Sequence, residues 1–250
     1  MHPITSELKQ TISTLESIEE RFQVLKDKYQ GETAYLITCG PSLGKQNLEL
    51  LNEKLKDKLV ISVKQAYDVV SEIADYHLLN TYNLKEYEYK TDNTIVMWSI
   101  SKTYAENQLR KIGNKPVDFY FPVNQVIPFT SYSIAGLQNY DEMKLLGTRC
   151  EVLWGPGMFY EMMMPLCLQL GVKDIVIIGW DLALKHSGVK HEHFYEEEGD
   201  CKPQMGELQQ AIISTSSFYD WCEKNNITLK IISDINEADE RFERITLGDI

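Results

Sequence analysis

The run Ala34-Tyr-Leu-Ile-Thr-Cys39 constrains this chain more than any other, because it carries no charge and stops abruptly at Gly40-Pro41-Ser42-Leu43, where a helical pattern begins. An uncharged run of that length reads as a strand buried on both faces, which calls for a parallel sheet with helices over each side. The turn that ends it has its own chemistry. Gly40 lets the backbone approach a neighbour closely, Pro41 supplies a fixed φ where no donor is needed, and Ser42 is a helix-capping type. In such a sheet this turn lies at a carboxyl edge, where backbone N–H groups can cradle a phosphate.

The same alternation recurs. Leu59–Val63, Tyr76–Leu79, Thr94–Trp98, Asp174–Ile178 and Thr228–Ile232 read as further strands, separated by helical patterns near 44–56, 101–112, 158–170 and 207–224. The spacing predicts an α/β, Rossmann-like, mainly parallel sheet of about six or seven strands flanked by helices. Residues 116–148 are aromatic and broken by Pro, Asn and Ser, so a strand followed by loops is expected there. Residues 184–206 are polar and charged, with the character of a lid loop. Before the first strand, Leu8, Ile12, Leu15, Ile18, Phe22, Leu25 and Tyr29 form one stripe at steps of three and four. The chain is thus divided into an N-terminal amphipathic helix over 1–31 and a Rossmann-like domain over 32–250. The stripe packs on its own domain or forms a seam between two copies, so a homo-oligomer is one expectation.

A net charge of −12 argues against binding nucleic-acid backbone, which depends on Lys and Arg. No apolar run approaches the roughly 20 residues that cross a bilayer, and the first 30 residues are too polar for a signal peptide. The five cysteines are odd in number and widely spaced, without zinc-binding spacing. A reducing, cytoplasmic setting follows, in solution or peripheral to the inner face of a membrane.

Chemistry in such a sheet gathers at strand ends. Those ends are Cys39-Gly40-Pro41-Ser42, Lys64-Gln65, Asn80, the Gly155-Pro156-Gly157 turn and Gly179-Trp180-Asp181. Two glycine turns entering helices, with a Lys and an Asn, suit a ligand made of phosphate, sugar and base. Neither turn has the spacing of a triphosphate loop or a dinucleotide fingerprint. Asp181 is open to two readings: a cap on a helical turn, or a group that binds a sugar hydroxyl or holds a catalytic residue. In the lid, His186, His191 and His193 precede Phe194-Tyr195. They read as a solvated loop, a metal pair, or a general base near neutral pH, with His193 preferred as the base and His191 in reserve. His77, inside an apolar strand, reads as a core residue, and Glu161 as a partner of its own helix dipole.

The ordered strand ends resemble those of the bacterial sialyltransferases of glycosyltransferase family 42 and the central domain of motility-accessory-factor proteins. The matching features are Gly40-Pro41-Ser42-Leu43, Lys64-Gln65-Ala66-Tyr67, Asn80, Pro156-Gly157, Leu170-Gly171 with Ile175, and Gly179-Trp180-Asp181. Cys39 and Lys64 stand where the family has Asn, and Pro156 where it has Ser. The resemblance covers roughly residues 33–232. It implies a variant glycosyltransferase A fold and inverting, metal-independent transfer of sialic acid or a related keto-acid sugar from a CMP-activated donor to a glycan acceptor. A His base in the lid and no cofactor are part of the same implication. The strand–turn and the Gly-x-Asp-Leu strand end also resemble the pterin diphosphokinases of the domain of unknown function 115 family, in which Asp181 would serve magnesium and ATP. A non-catalytic sugar-nucleotide binding module is the third reading.

Overall fold

A computed structural model describes residues 2–79, 85–101, 115, 117–123, 140–143, 145, 158–183, 193–195 and 205–250. Its centre is one sheet of eight parallel strands: β1 (Thr33–Ile37), β2 (Leu59–Val63), β3 (Tyr76–Leu79), β4 (Ile95–Ser101), β5 (Phe119–Val123), β6 (Asp174–Ile178), β7 (Thr228–Ile232) and β8 (Glu243–Arg244). The eighth is a two-residue edge strand beyond the six or seven expected. Both faces are covered, so the central strands can be apolar throughout: every residue of β2 is buried, as are Ala34 to Ile37 in β1.

Strand order is β5-β4-β3-β2-β1-β6-β7-β8. Successive strands run outward from β1 in one direction, and then the chain returns to place β6 on the other edge of β1. That reversal makes β1 and β6 the switch point, and a crevice beyond their carboxyl ends is the site this topology offers.

The N-terminal stripe forms two helices rather than one, α1 (Pro3–Ser13) and α2 (Ile18–Leu25). The break has a local cause: Ser17 caps α2 by accepting the Glu20 amide at 3.1 Å, with Glu19 and Glu20 in the first turn. The apolar period survives across the break, so Leu8, Ile12, Phe22, Leu25 and Tyr29 are all buried in this chain's own core. Phe22 lies 4.9 Å from Phe119 between ring centroids, and Arg21 donates to the Asp118 carbonyl. The 1–31 segment is therefore continuous with the core of the sheet domain, with Leu15 and Ile18 of the stripe half-buried.

At the amino end of the sheet, the buried Asp75 carboxylate accepts from the His2 amide, the Thr5 hydroxyl and the Val60 amide at 2.6–2.8 Å, anchoring α1 to β2. The expected helix over 44–56 is a single turn, α3 (Pro41–Gly44), then α4 (Leu48–Leu55), capped by Asn47. A 3-10 turn, Lys64–Ala66, leads from β2 into α5 (Tyr67–Val70). A π-helical turn, Phe159–Met163, enters α6 (Met164–Leu170), and Pro165 sits just past that junction. Gly171 ends α6 at φ +77, a left-handed conformation that glycine adopts without strain. The last helix, α7, spans Met205–Lys224. No helix among the described residues is long and apolar enough to cross a membrane.

Candidate functional site

The switch point is closed by its own backbone. Past the last β1 residue, the Thr38 amide donates to the Ile178 carbonyl and the Gly40 amide to the Gly179 carbonyl, each at 2.9 Å. A Cβ on Gly40 would stand 2.2 Å from the Gly179 carbonyl oxygen and 2.6 Å from an Asp181 carboxylate oxygen. Glycine is required there because nothing larger fits. Gly179 takes φ +79, which lets β6 turn out of the sheet toward Asp181.

Asp181 then reaches back across the switch point. Its carboxylate accepts from the Ser42 amide and the Ser42 hydroxyl, each at 2.6 Å, and from the Ser233 hydroxyl at the end of β7. These contacts are those of the capping reading of Asp181, although the turn it caps is α3 rather than the one that follows it. The consequence for an anion is direct. Gly40 donates to Gly179, Pro41 has no N–H, Ser42 donates to Asp181, and Leu43 donates to the Gly40 carbonyl at 3.0 Å. The amides from Gly40 to Leu43 are thus committed inside the protein, and a phosphate on this turn would have to displace a carboxylate. Ser42 is itself fully buried.

Cys39, matched by the resemblance to a donor-contacting Asn, does not present its side chain in that way. The thiol is buried and donates to the Val63 carbonyl at 3.4 Å, and burial pushes its pKa up to about 11 despite nearby Ala66 and Gln65 amides. It is a protonated packing group. Its carbonyl, by contrast, accepts the Phe194 amide at 2.8 Å. That bond brings His193-Phe194-Tyr195 onto the carboxyl end of β1. A Cβ on Gly44 would meet the Phe194 Cβ at 3.4 Å, ordinary contact distance, and the His193 and Tyr195 rings stack with centroids 5.1 Å apart. His193 is therefore beside the turn that the sequence marks.

At the end of β2, one strand over, Lys64 has φ +43, a region costing a non-glycine residue about 1–2 kcal/mol. Gln65 follows, and its side-chain oxygen is buried with no hydrogen-bond partner among the described residues. Behind this turn lies His77, buried as a core residue with both nitrogens engaged: Nε2 is 3.0 Å from the Lys64 carbonyl and Nδ1 is 2.8 Å from the Tyr89 hydroxyl. Tyr67 stacks on the His77 ring at 4.4 Å, with Tyr87 edge-on at 4.5 Å. Burial drives the His77 pKa down to about 3, so the ring is neutral near pH 7.

Asn80, Gly155, Pro156, Gly157 and His191 lie outside the described residues. Of the other candidates, Cys39, Gly40, Pro41, Ser42, Asp181 and His193 gather at the β1–β6 switch point, with Lys64 and Gln65 at the neighbouring strand end. Two participants were missed from sequence. Ser233 follows the apolar run of β7, and extending the strand-end rule to that strand finds it. Asn236, whose side chain donates to the Trp180 carbonyl, has no such signal.

No protein-family model matches this chain, and no curated protein or solved structure matches it. The fold defines the class: a parallel α/β protein of Rossmann-like arrangement, with its candidate crevice at the strand carboxyl ends.

Proposed function

We propose that this chain is a glycosyltransferase that takes a sugar, sialic acid or a related keto-acid sugar, from a CMP-activated donor to a glycan acceptor. The transfer inverts the anomeric centre and requires no metal. The observation that carries the reading is the hydrogen bond that the Phe194 amide donates to the Cys39 carbonyl, which holds His193 at the switch point beside Gly40-Pro41-Ser42. In this reading His193 takes the proton from the acceptor hydroxyl as that oxygen attacks the anomeric carbon and CMP departs. With the Gly40–Leu43 amides committed, the Lys64 ammonium and the Gln65 side chain are the described groups left to meet the donor nucleotide. Asp181 organises this site without touching the sugar.

The pyrophosphate-transfer reading asks Asp181 to hold magnesium. Both of its oxygens already accept from Ser42, and one also from Ser233, which favours the transferase. A calorimetric titration against CMP, UDP, GDP and ATP tests the choice. CMP binding without ATP binding supports the transferase; magnesium-dependent ATP binding without CMP binding overturns it. CMP binding with no turnover of any CMP-sugar on a glycan array would reduce the protein to a binding module.

A further inference from the structure

His77 has both of its buried ring nitrogens engaged, as a core histidine must, and one of the two partners belongs to the left-handed turn at the candidate site. The Lys64 carbonyl can only accept, so the nitrogen 3.0 Å away, Nε2, must carry the hydrogen. Nδ1 is then an acceptor, which makes Tyr89 the donor in the 2.8 Å contact. The tautomer is fixed from both sides, and the stacked Tyr67 and edge-on Tyr87 fix the ring plane. The same Lys64 carbonyl also receives the Tyr67 amide as the 3-10 turn closes. A left-handed non-glycine residue persists only where its surroundings over-determine it, and such residues cluster at functional sites. Here the Lys64 carbonyl is held from two sides, by the Tyr67 amide within the turn and by the imidazole N–H from β3. What they hold is the turn that sets Lys64 and, among the described residues, leaves the Gln65 side-chain oxygen buried without a hydrogen-bond partner.

We infer that His77 is a positioning residue: through Nε2–H it pins the Lys64 carbonyl, holds the Lys64–Gln65 turn in its left-handed conformation, and thereby presents those two side chains to the nucleotide. The last step rests on the transferase reading; the first two do not. A neutral ring suits this task, because a protonated imidazole would lose the acceptor that Tyr89 uses, and the buried site keeps it neutral across the working pH range.

The test uses His77→Phe, which keeps a ring in the stack but removes the N–H, and His77→Gln, which returns an N–H near the Nε2 position. Hydrogen exchange and CMP titration are measured on the full chain. His77→Phe is expected to speed exchange at the Gln65, Ala66 and Tyr67 amides about tenfold or more, leaving β6 and β7 amides as they were. It is expected to weaken CMP binding by about tenfold, and His77→Gln to restore both to within about twofold. A folded His77→Phe protein with unchanged exchange at this turn overturns the inference, as does faster exchange that spreads equally through β6 and β7. If His77→Phe does not fold, it is combined with Lys64→Gly, since glycine needs no pin at positive φ. Recovery of folding supports the pin, and failure to recover overturns it. If the wild-type chain binds no CMP, the transferase reading fails, and the exchange measurement alone decides the role of His77. If CMP binds and His77→Phe changes exchange but not affinity, the presenting role is overturned.

Discussion

Replacing Asp181 separates a group that builds the site from one that touches substrate. Three donors converge on this carboxylate: the Ser42 amide, the Ser42 hydroxyl and the Ser233 hydroxyl. Hydrogen bonds to a charged group contribute about 1.5–3 kcal/mol each, but these are only part-buried, and the two hydroxyls can turn to water once the carboxylate is gone. The Ser42 amide cannot turn, because α3 fixes its direction. Asp181→Ala should therefore cost about 2–4 kcal/mol, most of it the stranded amide and the loss of charge-assisted bonding. Asp181→Asn is a finer probe. Its oxygen can keep the Ser42 amide while its NH₂ faces the two hydroxyls, which rotate to accept. Only the charge is lost, for about 1–2 kcal/mol. Urea unfolding measures both, with unchanged slopes required for the comparison. For a chain of this size the alanine variant should lose roughly 4–16 °C in Tm. If Asn and Ala variants are equally stable, or both lie within about 0.5 kcal/mol of wild type, the carboxylate does not organise the turn and the reasoning fails.

Gly40→Ala should cost about 3 kcal/mol or more, or yield insoluble protein, because the new methyl would meet the Gly179 carbonyl oxygen at 2.2 Å; soluble expression and unfolding measurements decide this. His193→Ala should leave CMP affinity within about twofold while lowering turnover about 10²–10⁴-fold, read in parallel binding and transfer assays. Nucleotide binding should persist in excess chelator; loss restored by magnesium would point to pyrophosphate transfer. His77 is neutral when folded, its pKa lowered to about 3, yet takes a proton below about 6.5 when unfolded. Its stabilising contribution is thus complete above pH 6.5 and is lost as pH falls toward 3, at up to about 1.4 kcal/mol per unit. The stability difference between wild type and His77→Gln should shrink across that window, and a constant difference refutes the shift.

What could be read without coordinates were the features set by period and strand-end rules. The largely apolar runs located β1, β2, β6 and β7, and parallel topology gathers their ends at one edge, so Gly40, Ser42 and Asp181 could be grouped before their contacts were known. The break between α1 and α2 was hidden because apolar steps of three and four continue through Thr14–Ser17, although Ser17 followed by Glu19 and Glu20 carried a capping signal. The use of the Gly40–Ser42 amides was hidden for a different reason. A turn looks the same in sequence whether its donors face a ligand or a carboxylate 139 residues away. Nothing in Val63-Lys64-Gln65 foretells a left-handed lysine, since the side chain that meets the Lys64 carbonyl, His77, lies 13 residues further along the chain.

The place of β6 beside β1 also governs how this chain must assemble. Strands β1 to β5 can pair in the order in which they emerge during synthesis, but Thr38 waits 140 residues for its partner at Ile178. At about 5–20 residues per second that interval is roughly 7–28 s, during which one edge of an almost wholly apolar strand has nothing to pair with. An open, uncharged edge is the surface on which chains join wrongly. The central strand that gives the finished molecule its crevice is therefore also the nascent chain's most exposed liability. Until β6 arrives, its protection must come from outside the sheet.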